Sequence, residues 1–203
     1  MSSVLSYVQP TANSPWGTYL SQVDRVIPYL GDLARWAETL KRPKRALIVD
    51  VPIELDNGQV LTEGPAIIQY LADQKPEAGL APKNGSLERY RLQEWLNILT
   101  SEIHKGFSPL FKPNTPEEYK TISKGNLATR FDWLDKQLAG KDYLTGKAFT
   151  VADAYLFVLL NWTKFQSIDL NRWPNLAAFQ ARVGARPKVQ EALQFEGLLK
   201  KAA

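Results

Sequence analysis

The chain of 203 residues contains no cysteine and only one histidine and one methionine. Without cysteine there is no disulfide framework, no thiolate nucleophile and no Cys-ligated metal or cluster. A single histidine, His104, forms no zinc site without carboxylate partners at fitting spacing, and none is evident, so no metal is expected. No GxSxG elbow or Ser-His-Asp pattern can be argued, and no GxGxxG or P-loop supports nucleotide binding. An apolar run of about 18 residues is lacking, so no membrane-spanning helix is expected. The opening MSSVLSYVQPTANSPWG has no charged segment leading into an apolar one, so it does not read as a secretory signal. A cytoplasmic location fits the missing cysteines. Net charge is also small, at +4 from 25 basic and 21 acidic residues, too small a field to imply nucleic acid. The one dense basic cluster, Lys41, Arg42, Lys44 and Arg45 around Pro43, suits the end of a helix better than a phosphate site.

What is present is globular: 44% hydrophobic and 23% charged residues, enough for one domain or two small ones. Residues 1–17 read as a loose arm. Apolar residues from Thr18 to Leu40 recur at helical steps, with a break near Pro28 and Gly31. Arg45–Leu55 reads as a strand, Asp56-Asn57-Gly58 as a hairpin turn and Gln59–Leu61 as the returning strand. Thr62 offers a capping hydroxyl and Pro65 an early proline, which predicts a helix from about Pro65 to Gln74. Lys75–Ser86 is a linker by composition. Helices are then predicted over Ser86–Lys105, Pro116–Ala139, Val151–Phe165, Asn175–Ala185 and Pro187–Ala192. The organisation is a small α/β front piece followed by an all-helical back piece, α+β in class.

Three places can carry chemistry. His104 ends the stretch EWLNILTSEIHKGF, with Asn97 and Ser101 on the same helical stripe and Trp95, Leu99 and Ile103 on the next. His104, helped by Lys105, can hydrogen-bond an anionic sulfur or carboxylate; equally, histidine is favoured near a helix C-terminus just before a glycine such as Gly106. Thr150 and Asp153 form a reciprocal helix cap, with Phe149 as a staple, ahead of a helix so apolar that it belongs in a core. Glu63 and Gly64 open a helix, where free N–H groups suit a carboxylate and the Glu an ammonium. A zwitterionic amino-acid head group satisfies both, although Thr-Glu-Gly is also ordinary capping chemistry.

These features occur together in one family. The stretches DNGQVLTEGPAIIQYLAD, SLERYRLQEWLNILTSEIHKGFSPLF, NTPEEYK, LTGKAFTVADAYLFVLLNW and ARPKVQEALQFEGL closely resemble bacterial glutathione transferases of the beta class, in family order and spacing from about Leu55 to the end. The resemblance implies a thioredoxin-like N-terminal domain over about 1–78, an all-α domain over 86–203, and glutathione in the cleft between them. Carried over by position, Glu63 and Gly64 match the residues holding the γ-glutamyl end. Asn97, Ser101 and His104 match residues lining the glutathione site, with Lys105 beside them, and Val51 matches a backbone contact. Tyr155 and Trp162 match aromatics that wall the pocket for an apolar electrophile. Family members are dimers.

Residues 1–58 resemble something else. PWGTYLSQVDRVIPYLGDLARWAETLKRPKRALIVDVPIELDNG is similar to the N-terminal segment of a bacterial hexameric glutamate dehydrogenase. That family's catalytic lysines and dinucleotide domain are missing, so dehydrogenase activity and NAD binding are excluded. The sequence thus reads as a chimera joined near Glu54–Gly58, with an altered or truncated thioredoxin-like front piece on a transferase body. A one-residue difference at the joint would turn side chains to the opposite sheet face, which places the Val51 contact and the family homodimer in question. Two readings follow: a transferase-like protein that binds glutathione and conjugates it slowly through His104, or a non-enzymatic helical protein that binds none.

Overall fold

The computed structural model describes residues 6–7, 53–55, 59–196 and 198–199. The expected helix over Thr18–Leu40, the basic cluster, the turn at Asp56–Gly58, and Val51 with Pro52 lie outside these residues. Contacts group the chain into two compact units, one of the residues up to Lys75 together with those from Arg186 onward, the other of Pro76–Ala185.

In the first unit, three short strands, β1 (Ser6–Tyr7), β2 (Ile53–Glu54) and β3 (Val60–Leu61), form an antiparallel sheet in that order. The hairpin expected from the sequence is seen in the pairs Ile53↔Leu61 and Glu54↔Val60, extended by the Leu55 N–H donating to the Gln59 carbonyl at 2.7 Å. β1 corrects the reading of residues 1–17 as a loose arm, since Ser6 pairs with Glu54 and Tyr7 with Ile53. The second edge of a two-stranded hairpin offers unpaired N–H and C=O groups, and two residues suffice to take them up without leaving any periodic trace. Helix α1 (Gly64–Asp73) follows and buries Ile67, Ile68, Leu71 and Ala72, the stripe expected of an amphipathic helix.

The second unit is helical. It contains α2 (Leu87–Ile98), a π-helical segment (Leu99–His104), α3 (Lys105–Phe111), α4 (Glu117–Leu138), α5 (Val151–Phe165) and α6 (Pro174–Gly184). Helix α7 (Pro187–Phe195) belongs to the first unit. Ser86 caps α2 by accepting the Arg89 N–H at 3.2 Å. At α6 the cap comes from another element: Asp135 on α4 accepts the N–H groups of Asn175 (2.8 Å) and Leu176 (3.0 Å). A carboxylate there satisfies orphan donors and meets the positive end of the helix dipole. Helix α5 is the centre of the unit, buried at every residue from Val151 to Thr163, as its sequence predicts.

The helix carrying His104 does not end there, as expected, but runs on through Gly106 and Pro109 to Phe111. Gly106 is what lets this rod lie close to α4. A Cβ at that position would stand 2.8 Å from Leu127 Cδ2 and 3.3 Å from Cγ. Leu127 is only 1% exposed, so relieving the clash means moving a packed side chain. Gly106→Ala is therefore expected to lower stability by about 1–3 kcal/mol through overpacking, although alanine is worth up to about 1 kcal/mol in a helix. Thermal denaturation with and without Leu127→Val, which makes room, checks the cause.

Candidate functional site

Glu63 is the N-cap of α1, and its backbone adopts φ 67° and ψ 114°. A non-glycine residue in that region carries about 1–3 kcal/mol of strain. Its carbonyl nevertheless accepts the first helical bonds, from the Ala66 and Ile67 N–H groups, both at 3.0 Å. Thr62, expected to cap, does not occupy the N-cap, and no side chain of the N-cap residue bonds the helix start. Glu63 is exposed and Gly64 buried. With Pro65 lacking an N–H and the Ala66 and Ile67 groups bonded to Glu63, Gly64 has the one N–H of the first turn left for another acceptor.

In the second unit the candidate residues sit around the π-helical segment. The Lys105 N–H donates to the Thr100 carbonyl, five residues back. The cause is local. The Thr100 hydroxyl donates to the Leu96 carbonyl at 2.8 Å and the Ser101 hydroxyl to the Asn97 carbonyl at 3.0 Å. Hydroxyls bonding the carbonyl four residues back bend helices, and one inserted residue rotates everything downstream by about 100°. Asn97, Ser101 and Lys105 are exposed, whereas His104 is half-buried against α5. The single polar stripe expected from α-helical spacing is thus divided. On the other side, Leu99 and Ile103 are fully buried, as expected. Ser101 and Lys105 open onto a groove of about 430 Å³ between this rod and α4, bridged by Arg130 and Glu102 at 2.7 Å.

His104 is held by aromatic residues. Its Nδ1 lies 2.7 Å from the Tyr155 hydroxyl, and its ring meets Trp162 edge-to-face at 5.0 Å and 81°. Trp162 in turn packs against Phe107 at 5.5 Å and Phe111 at 5.3 Å. Tyr155 is 1% exposed and Trp162 3%. Tyr155 and Trp162, expected to wall a pocket for an apolar electrophile, are buried and lie beside the histidine. No sequence signal could have joined Tyr155 to His104, which lies 51 residues away. The π-helical turn was foreshadowed only by the adjacent Thr100 and Ser101 in mid-helix. Val51 lies outside the described residues.

Asp153 lies under the start of α5. Its Oδ1 accepts the Leu144 N–H at 2.8 Å; its Oδ2 accepts the Thr150 N–H at 2.7 Å and the Thr150 hydroxyl at 2.8 Å. Burial pushes its carboxyl up to about 6, against the lowering effect of those three bonds. It is fully buried and engaged by the fold, so it is no candidate for chemistry on a ligand. Among the described residues, no cluster of three His, Asp or Glu side chains could hold a metal ion. Likewise, among them no helix is long and apolar enough to cross a membrane.

Comparison with known proteins gives these residues a context. Residues 98–187 match the family described as glutathione S-transferase, C-terminal domain. The chain is 45% identical over 144 residues to glutathione S-transferase GstA of Escherichia coli O157:H7, covering 71% of this chain and 72% of that protein. Its structure is similar to that of the ternary complex of BphK, a bacterial transferase, with TM-score 0.71 and 53% identity over 72% of this chain and 74% of that one. It is also similar to a sphingomonad glutathione S-transferase complexed with glutathione, with TM-score 0.70 and 47% identity over 73% of this chain and 74% of that one.

Proposed function

Because the chain belongs to the glutathione S-transferase family, we propose that it binds glutathione and conjugates it through its thiol to small apolar electrophiles, as a beta-class member. The carrying observation is the 45% identity to GstA over 144 residues; the strained, acidic start of α1 at Glu63 supports it. Glu63 and Gly64 hold the γ-glutamyl end, and Asn97, Ser101, His104 and Lys105 line the rest of the glutathione site, with Val51 contributing its backbone. The division into a thioredoxin-like domain over 1–78 and a helical domain over 86–203, a homodimer and a cytoplasmic location belong to the same proposal. So does a glutamate-dehydrogenase-like origin for residues 1–58, joined to the transferase body near Glu54–Gly58.

The reaction is a displacement or addition at carbon. The glutathione thiol gives its proton to solvent, sulfur forms the C–S bond, and a halide, where one leaves, departs with the bonding pair. The chain supplies position and charge stabilisation rather than a covalent intermediate, since it has no cysteine. His104 is one charge-assisted contact to sulfur, worth roughly 1.5–3 kcal/mol, or about ten- to a hundredfold in rate. Conjugation is correspondingly slow. The missing cysteine favours a second reading, in which the fold is kept but glutathione is not bound.

Calorimetry separates the two readings. Millimolar or tighter binding of glutathione, weakened about tenfold by Glu63→Ala through loss of the ammonium contact, is the expected result. A folded protein with no measurable heat of binding leaves the non-enzymatic reading standing.

A further inference from the structure

We infer that the turn at Asn84 and Gly85 is a self-modification site, where the asparagine side chain closes onto the backbone, loses ammonia and reopens as aspartate or isoaspartate. The turn spans residues 83–86. The Lys83 carbonyl accepts the Ser86 N–H at 3.2 Å and the Ser86 hydroxyl at 2.8 Å. Gly85 has φ +81° and Asn84 is not among the residues of positive φ, which is the type II pattern. Both residues are exposed, and a Cβ on Gly85 would meet nothing within 4 Å. The Gly85 N–H donates to no acceptor among the described residues. Rotating the peptide plane between the two residues converts a type II turn to type I without breaking its closing bond, and glycine accepts either sign of φ. That rotation lets the Gly85 nitrogen come round to Asn84 Cγ. By contrast, Asn97, Asn126, Asn161 and Asn175 are held in helices, each ahead of a bulky side chain.

The steps need only water. The Gly85 amide gives its proton to solvent and its nitrogen attacks Asn84 Cγ. The N–Cγ bond forms, the Cγ–Nδ2 bond breaks, and ammonia leaves with the bonding pair and a proton from water. Water then opens the five-membered imide. Attack at Cγ restores the main chain and leaves aspartate; attack at the backbone carbonyl leaves the chain running through Cγ, lengthened by one methylene. The place matters because this turn sets the start of α2. Ser86 caps the helix by accepting the Arg89 N–H at 3.2 Å. Arg89, 3% exposed, donates back to the Pro82 carbonyl at 3.0 Å, and the Leu80 carbonyl accepts the Val151 N–H at 3.0 Å. A longer main chain at Asn84 pulls the Lys83 carbonyl away from Ser86, so the cap and the tie between linker and helix loosen together. A plain aspartate there adds a negative charge near a helix N-terminus, which is favourable.

The test is to age the folded protein in mildly alkaline buffer, cleave after glutamate and weigh the fragments. Fragment 78–88 carries Asn84, whereas Asn57, the other asparagine followed by glycine, falls in fragment 55–63. Fragment 78–88 is expected to gain the mass of an NH-to-O exchange and to split into two chromatographic forms. Its rate should rise in proportion to hydroxide and stay within about tenfold of the rate in urea-unfolded protein, since surface turns open at little cost. An unchanged fragment 78–88 in folded protein, with conversion in the urea sample, overturns the inference. Thermal denaturation checks the consequence for α2. Aged protein should melt lower than fresh protein, and Asn84→Asp, which carries the charge without the methylene, should not. Conversion to isoaspartate with an unchanged midpoint overturns that consequence. Asn84→Gln, whose longer side chain closes a six-membered ring far more slowly, should keep its midpoint through the same ageing; an equal loss in that variant means that the damage lies elsewhere and overturns the assignment to Asn84.

Discussion

Asp153→Ala is expected to cost about 2–5 kcal/mol of stability, read as a lower urea midpoint followed by circular dichroism. The carboxylate is fully buried, and three donors converge on it: the Leu144 N–H, the Thr150 N–H and the Thr150 hydroxyl. Removing it strands all three in a place water does not reach, and each unsatisfied buried donor costs about 1–3 kcal/mol before relaxation. The loss is shared between two segments, because Leu144 belongs to the loop ahead of α5 and Thr150 caps the helix itself. Asp153→Asn is the milder change. It keeps one acceptor oxygen but turns an NH₂ toward at least one of the same donors.

The same carboxyl gives a pH signature of definite sign. Its value in the folded state is raised from 3.8 to about 6, so the folded protein holds the proton more tightly than the unfolded chain. The corresponding stabilisation is complete below about pH 4 and is lost as pH rises through about 6, an amplitude of about 3 kcal/mol for a shift of that size. Against a background of other titrations, the difference between wild type and Asp153→Asn isolates it. Moving from pH 7 to pH 4, the wild type should gain stability relative to the variant. A constant difference across that range would mean that the carboxyl titrates at its ordinary value.

The helical half was legible because its signals are local. Val151–Phe165 matches its predicted bounds, since a cap at Thr150 and an unbroken apolar run leave little choice of frame. The helix on Pro187 was placed at its start but ends at Phe195, not Ala192. Gly106, read as following a helix end, and Pro109 both lie inside the helix for a physical reason. Each is a helix breaker by propensity, but Gly106 is there for its missing Cβ against Leu127, and tertiary packing overrides the preference. The first unit was less legible. The hairpin was read from its turn, but β1, at two residues, carries too little alternation to be seen, and the Ser6–Tyr7 pairing uses the edge that β2 presents.

The site was half legible for a similar reason. Glu63 and Gly64 stand out in sequence, and the structure adds only the backbone strain that makes the position unusual. His104 stood out by being alone, but its neighbours were assigned by α-helical arithmetic, which fails across one π-helical turn. Asn97 and Ser101 remain on the exposed face and His104 does not. Tyr155 was expected to line a pocket from its match to a family position, and aromatic residues on a core helix look alike in sequence whether they face a ligand or a histidine. Only the 2.7 Å contact tells them apart.

Trp162→Ala tests how far the site and the core are one object. Trp162 is 3% exposed and touches His104, Phe107 and Phe111 edge-to-face. Truncating it is expected to cost about 3–5 kcal/mol, with Trp162→Phe recovering most of that by keeping a ring in the space. Activity should respond differently from stability. His104 has two neighbours, the Tyr155 hydroxyl 2.7 Å from its Nδ1 and the Trp162 ring packed edge-to-face, and losing either one leaves the ring less restrained. The effects of Trp162→Ala and Tyr155→Phe on kcat, measured at a temperature where both proteins are folded, should therefore be less than additive. Their effects on stability should lie nearer to additive, since one removes packing volume and the other a single hydrogen bond. Strict additivity in kcat would mean that the two residues act on catalysis through something other than the histidine they share.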